Sequence, residues 1–124
     1  MRLYALNQTL DDVRWGTLMP VAVQIKGQIV QIRARGTCSL AVTDTVPLAA
    51  QIPDLEDVAA TLRPVFAVAL TDLIGELSIN ASNLAQLTTI TDQTRQLLLA
   101  KLEPALAAFG LQIKSLHIEA IESV

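Results

Sequence analysis

The order of periodicities along the chain predicts an α+β fold, with a mainly antiparallel sheet, two long helices packed on one face and a closing C-terminal strand. Three observations support this prediction. Residues 30–42 alternate apolar and polar side chains, residues 54–109 carry apolar side chains at helical spacing, and the alternation returns after Gly110. Such a long run with period two is typical of an antiparallel strand with one buried face.

The length of 124 residues fits a single domain over residues 1–124. Hydrophobic residues make up 52% of the chain and charged residues 17%, which excludes intrinsic disorder. The single cysteine excludes an internal disulfide and a cysteine-rich metal site. A net charge of −3 and an aromatic content of 3% are unlike a general nucleic-acid binder. Because both ends stop in strand-like sequence, we expect the domain to be excised from a longer protein.

Several shorter strands are predicted around the long one. Residues 3–6 are a short candidate strand, and residues 13–17 and 21–25 alternate apolar and polar side chains. Lys26 and Gly27 stand between two apolar runs and indicate a tight turn, since glycine accepts a positive φ without strain. The long strand then carries its apolar side chains at even positions from Val30 to Val42 and its polar ones between them.

The middle of the chain predicts the two long helices. Asp54 is a good N-cap for the first, and the second helical region begins near Ser82 or Asn83. Pro64 is expected to kink or split the first helix because proline lacks an amide donor, and Pro104 interrupts the second helix near its end.

Two further features mark the connections on either side of the helices. Residues 44–53 form a connector with room for a short helical turn. After Gly110, a good helix stop, the alternation of the last strand slips by one residue at Ser115. A one-residue slip predicts a β-bulge.

Side chains able to carry chemistry are scattered. His117 is the only histidine, and its place in an alternating strand predicts a surface position. Cys38 lies among the apolar positions of the long strand, which favours core packing over reactivity. Asp72 and Glu76 are four residues apart on a polar helix face, typical of solvated carboxylates and only a weak pattern for an acid–base hydrolase. The sequence predicts no catalytic, cofactor-binding or metal residue.

Arg33 and Arg35 point the same way from the long strand. Two guanidinium groups can clamp a phosphate or lipid headgroup, pair with carboxylates on a neighbouring strand, or lie at a subunit interface. Residues 1–36 hold five basic and two acidic side chains, a net +3, whereas residues 37–124 hold four and ten, a net −6. This asymmetry favours head-to-tail association or placement of the sheet near anionic lipid.

Several short stretches, taken in order, resemble the SPFH domain (stomatin, prohibitin, flotillin), also called the band 7 or prohibitin-homology domain. The specificity lies in their order and spacing over about residues 3–122. The stretches are residues 13–17 followed by Pro20, residues 30–37, residues 42–44, residues 62–63, and residues 109–113 leading to Ile121. The opening, with Tyr4, Asn7, Trp15-Gly16-Thr17 and Pro20, looks closest to a bacterial subgroup labelled virion core protein-like, whose members resemble soluble SPFH proteins with a C-terminal zinc ribbon. This sequence contains no such ribbon.

The resemblance implies a non-enzymatic scaffold that needs no cofactor. Such domains form homo-oligomers, sit at the cytoplasmic face of membranes and organise other membrane-associated proteins there. The alternative is a lipid- or ligand-binding module that uses the basic N-terminal sheet region with Arg33 and Arg35. The longest uninterrupted apolar run, residues 65–70, is far shorter than the roughly 20 residues of a spanning helix. We therefore expect a cytoplasmic, peripherally attached protein without a transmembrane segment in this chain.

Overall fold

The structure, a computed structural model, describes residues 4–124, apart from the side chain of Leu55. Its elements confirm the predicted α+β class, with a closing strand after the helices. In chain order they are β1 (Thr9–Gly16), β2 (Val21–Ile25), β3 (Gln28–Val42), α1 (Thr45–Gln51), a 3-10 turn (Leu55–Asp57), α2 (Val58–Asn80), α3 (Leu84–Thr88), α4 (Asp92–Ala107) and β4 (Leu111–Ser123).

The long strand β3 is the centre of a fully antiparallel sheet. Strand β4 pairs with residues 32–42 of β3 along one edge. Strands β1 and β2 lie end to end along the opposite edge, β1 beside residues 35–41 and β2 beside residues 28–32. The predicted tight turn joins β2 to β3, with φ of 50° at Lys26 and 80° at Gly27. Two successive positive φ angles match the right-handed twist of the flanking strands.

Strand β4 contains two bulges. Ser115 pairs with Ser39 while Ile113 pairs with Leu40, so one extra residue lies at the predicted slip. A second bulge, which the alternation did not predict, leaves Glu119 as the extra residue between the partners of Arg35 and Gly36. The bulges let β4 follow the twisted β3 while its apolar side chains stay on the core side.

The helices cover one face of the sheet, as predicted. α2 packs over β1 and β2, α3 and α4 pack over β4, and α2 contacts α4. Apolar side chains of both layers form a single core, and the largest fully buried ones are Phe66, Ile32, Leu40, Leu48, Ile52, Leu62, Leu70, Leu73, Ile74, Leu87, Leu98 and Leu102.

One aromatic pair lies where β1, β3 and α2 meet. Trp15 is 4% exposed, and its ring stacks on Phe66 of α2 with centroids 5.9 Å apart and planes 5° apart. The residue paired with Trp15 on β3 is Gly36, whose missing side chain leaves the room that the indole ring occupies. The indole N–H is buried without a hydrogen-bond partner in the described part of the chain.

Pro64 was expected to kink or split its helix and Pro104 to interrupt the second helix, but the structure shows neither a split nor an interruption. α2 runs as one helix through Pro64, and α4 continues for three residues beyond Pro104. The neighbouring turns are fixed by packing, since Leu62 and Phe66 are both buried on the sheet. Tertiary contacts therefore outweigh the hydrogen bond that each proline removes.

The second helical region differs from its prediction as well, because it forms two helices. Asn83 caps α3, as expected, but the helix ends at Thr88. Thr91 starts α4 with a capping box, in which its hydroxyl accepts from the Thr94 amide and the Thr94 hydroxyl accepts from the Thr91 amide. The caps at Asn83 and Thr91 thus divide the continuous apolar stripe of the predicted second helical region into two helices.

Two predictions near helix and strand starts also need correction. Asp54 does not cap α2. Its carboxylate accepts from the Glu56 amide at the 3-10 turn, and α2 begins at Val58. The short strand expected at residues 3–6 does not form over residues 4–6, and residue 3 lies outside the described part. The connector, in contrast, contains a full helix, α1, capped by Asp44.

Candidate functional site

The sheet face opposite the helices carries the two predicted arginines. Arg33 and Arg35 are both exposed, because they alternate with buried Ile32, Ala34 and Gly36 on β3. Cross-strand pairing places further polar side chains on this face: Arg14 of β1, Thr37 of β3 and His117 of β4 form one row, and Arg33 lies opposite Glu122. We call this surface, defined by Arg14, Arg33, Arg35, His117, Glu119 and Glu122, the open sheet face.

Arg35 is paired within the chain. Its Nε lies 3.6 Å from Glu119 Oε2, and one terminal nitrogen lies 3.5 Å from Glu122 Oε1. The second bulge of β4 and the register with β3 bring these carboxylates to it. The Arg35 side chain is 62% exposed, so water screens both contacts and each contributes about 0–1 kcal/mol. Arg33 makes no ion pair among residues 4–124.

The open sheet face is therefore mixed in charge. A shallow pocket of about 190 Å³ lies beside both guanidinium groups, and Glu122 also lines it. Three arginines and two glutamates leave this face with a net +1, because β4 brings acidic residues beside basic β3. The basic residues 1–36 and the acidic residues 37–124 therefore do not form separate basic and acidic surfaces on this face of the sheet. The carboxylate of Glu122 would repel a phosphate group from the pocket. The pocket is therefore better suited to contact with another protein surface than to binding a phosphate.

The structure places His117 and Cys38 as predicted. His117 is exposed, whereas its neighbours Leu116 and Ile118 are 7% and 6% exposed. Cys38 is buried in the core, and burial raises the pKa of its thiol to about 12 because the thiolate would lose its hydration. A thiol with such a pKa is a poor nucleophile at neutral pH.

The two carboxylates on α2 take separate roles. Glu76 accepts a hydrogen bond of 2.6 Å from Lys101 Nζ on α4, which ties the two long helices together. Asp72 is exposed and makes no ion pair among the described residues. Glu76 is engaged by Lys101 and Asp72 is exposed to solvent, which is unlike the partly buried setting of a catalytic acid–base pair. A hydrolase that uses Asp72 and Glu76 has no support in this geometry.

Sequence reasoning missed an apolar groove between β2 and α2. It has a volume of about 520 Å³ and is lined from the sheet side by the β1–β2 loop, residues 17–20. Leu18, Met19 and, on α2, Val68 are all more than 60% exposed. The run of Leu, Met and Pro between the two predicted strands, residues 13–17 and 21–25, was the available signal, because exposed apolar runs often mark interaction sites.

The model of the SPFH domain-Band 7 family matches residues 2–123. The chain belongs to this family. The match confirms the resemblance at family level, and a search of the curated proteins found no match. Membership of the SPFH domain-Band 7 family fits a scaffold role in general, since its domains are generally non-enzymatic and commonly oligomerise and associate with membranes.

The long apolar helix α2 raises the question of whether this SPFH domain contains a membrane-spanning segment. Among residues 4–124, α2 is the one helix that is long and apolar enough to cross a membrane by length and composition. However, seven of its residues, including Leu62, Phe66 and Leu73, are buried within the fold. α2 therefore contributes one face to the core, while Val68 and Ile79 remain exposed.

Proposed function

We propose that this SPFH domain is a non-enzymatic scaffold module that self-associates and organises partner proteins at the cytoplasmic face of a membrane. The observation that carries the proposal is the open sheet face, which stays exposed although β3 and β4 are the longest strands. Its charges are balanced rather than strongly basic, which favours contact with another protein surface over general attraction to anionic lipid.

Arg33 is the side chain best suited to an intermolecular contact. It is exposed, and it makes no ion pair in the described chain, whereas Arg35 is engaged by Glu119 and Glu122. The outer edge of β4 supports the same proposal. β4 spans 13 residues and pairs only with β3 among the described strands, so its other edge can receive a strand or side chains from a second copy.

The proposal also covers the subgroup of the family, the domain organisation and the mode of membrane attachment. The opening with Tyr4, Asn7, Trp15-Gly16-Thr17 and Pro20 supports the bacterial virion core protein-like subgroup. The single core cluster among the described residues supports one domain over residues 1–124. Peripheral attachment to the membrane would come from partner proteins, because the buried apolar side chains of α2 pack inside the domain.

Light scattering after size exclusion, over a wide range of concentrations, tests self-association. We expect masses in multiples of 13.3 kDa for the wild-type chain. Arg33→Glu places a negative charge beside Glu122 and should weaken association about tenfold or more, equal to about 1.4 kcal/mol. Arg63→Glu on α2 is the matched control, since Arg63 is also exposed and makes no ion pair among the described residues.

A constant mass of 13.3 kDa at all concentrations would remove self-association from the proposal. An equal loss of association in Arg33→Glu and Arg63→Glu would show a general charge effect and not a contact through the open sheet face. The scaffold role would then rest on partner binding alone.

The second candidate function is a lipid- or ligand-binding module. It rests on the position of Arg33 and Arg35, whose side chains lie on the same face of β3. Flotation with neutral and anionic vesicles tests it. Binding to anionic vesicles alone, reduced in Arg33→Ala/Arg35→Ala and by added salt, would favour this function, because surface charge attraction is screened by salt. Equal binding to both vesicle types, or none, would exclude the electrostatic mechanism.

A further inference from the structure

The apolar groove missed by the sequence lies between an edge strand and a helix. Val21 and Ala22 of β2 form one wall, Val68 and Asp72 of α2 form the other, and residues 17–20 complete it. Its volume of about 520 Å³ is within the usual range for binding pockets. We call this feature the β2–α2 groove.

The backbone of β2 is available along this groove. β2 pairs with β3 on one side and with no other described strand. The two-residue turn makes Ile25 and Gln28 a hydrogen-bonded pair, and antiparallel pairing alternates along the strand. The N–H and C=O groups of Ala22 and Gln24 therefore point away from β3, toward the position that an added strand would occupy. Addition of an extended peptide to such an edge is a common recognition mode.

The α2 wall of the groove supplies side-chain selectivity. Val68 is 66% exposed and lines the groove, so it offers an apolar contact to an added strand. Asp72, one turn further along α2, has no ion-pair partner among the described residues. A second groove of about 370 Å³ between α2 and α4 shares both residues, and it is also lined by Lys101, whose ammonium group is engaged by Glu76.

Asp72 is an exposed carboxylate without an ion-pair partner among the described residues, and such a group at the margin of an apolar groove is complemented by a cation. It also disfavours an anionic membrane as the occupant, because the surface charge of that membrane has the same sign. The edge hydrogen bonds, the apolar wall and Asp72 together specify an extended peptide with apolar side chains at alternate positions and one basic residue.

We propose that the β2–α2 groove binds an extended segment of a partner protein, which adds to the edge of β2, packs alternate apolar side chains against Val68 and Met19, and places a Lys or Arg beside Asp72. The inference rests on one part of the proposed function, the binding of partner proteins. It does not depend on the other part, self-association through Arg33. It names the kind of segment that this scaffold would organise.

Selection of random octapeptides displayed on phage against the intact chain tests the proposal. We expect enriched peptides to alternate apolar residues and to carry a Lys or Arg. Fluorescence anisotropy with the synthetic peptides should show that Val68→Asp weakens binding about tenfold or more and that Asp72→Asn weakens it less, with less dependence on salt. Ile79→Asp is the matched control, because Ile79 lies on α2 outside the groove and is 82% exposed.

Methylation of single amide nitrogens in the best peptide tests for strand addition. Loss of binding should recur at every second position, because only alternate N–H groups of the peptide face β2. Three outcomes would overturn the proposal: no enriched pattern, equal affinity for wild type and Val68→Asp, or methylation effects without a period of two.

The two proposals fail separately. A chain that forms oligomers but enriches no peptide loses the groove and keeps self-association. A monomeric chain that binds the selected peptides keeps the groove and loses self-association. Oligomers that Val68→Asp dissolves and Arg33→Glu does not would assign the groove to a second copy of this chain, which would overturn the peptide partner.

Discussion

Gly36 and Trp15 face each other on neighbouring strands, and the core depends on the missing side chain at Gly36. A Cβ at this position would come closer than 3.0 Å to the Trp15 ring and to the backbone oxygen of His117. Neither neighbour can yield easily, since Trp15 is buried against Phe66 and His117 lies within β4. The substitution Gly36→Ala must therefore displace a strand and a ring together.

The expected effect of Gly36→Ala is the sum of three contributions. Overpacking of a core by one methyl group costs about 1–3 kcal/mol. Displacement of Trp15 weakens its stacking on Phe66, worth about 0.5–1.5 kcal/mol. The lower entropy of the unfolded chain offsets about 0.4–1 kcal/mol. We expect the free energy of unfolding to fall by about 2 kcal/mol, and Tm by about 6–10 °C for a chain of this size.

Urea and thermal unfolding followed by circular dichroism measure this change. Gly75→Ala is the matched control, because nothing lies within 4 Å of a Cβ at that position of α2. There the same substitution should raise stability by about 0.5–1 kcal/mol, since glycine is unfavourable inside a helix. The two variants are expected to differ in sign.

The contact with Trp15 can be isolated in a double-mutant cycle. Trp15→Phe removes the part of the indole ring that lies nearest Gly36, so Gly36→Ala should cost less in that background. Some cost remains, because the His117 oxygen is unchanged. A neutral or stabilising Gly36→Ala, or equal costs in the two backgrounds within about 0.5 kcal/mol, would refute the reasoning.

Two further predictions concern the core thiol and a helix cap. Because burial raises the pKa of Cys38 from 9.0 to about 12, the unfolded chain releases the thiol proton first, and stability should fall as pH rises from about 9 toward 12. Urea unfolding of the wild type and of Cys38→Ala at neutral and alkaline pH measures this loss of stability. The part that comes from thiol ionisation should be present in the wild type and missing in Cys38→Ala. Parallel plots of unfolding free energy against pH for the two proteins would contradict the prediction. Thr91→Ala should lower stability by about 1 kcal/mol through loss of the α4 cap, whereas Thr91→Ser and the exposed Thr61→Ala should cost less in the same urea assay.

Local patterns account for most of the elements. The alternation of residues 30–42 predicted β3 and its buried face, Lys26 and Gly27 predicted the turn, and the slip at Ser115 predicted one bulge. These features depend on neighbouring residues, whose period and φ requirements appear directly in the sequence. Where local rules failed, as at Pro64 and within the second helical region, packing or a capping box had the stronger effect.

The sequence by itself determined the fold class, the buried and exposed positions of β3, and the family to which the chain belongs. The tertiary structure alone decided what lies beside Arg33 and Arg35, because Glu119 and Glu122 reach β3 through the register of a strand more than 80 residues later. It also decided the room for Trp15 and the groove beside Asp72. Register and the space between packed elements depend on contacts distant in sequence, which no local period encodes.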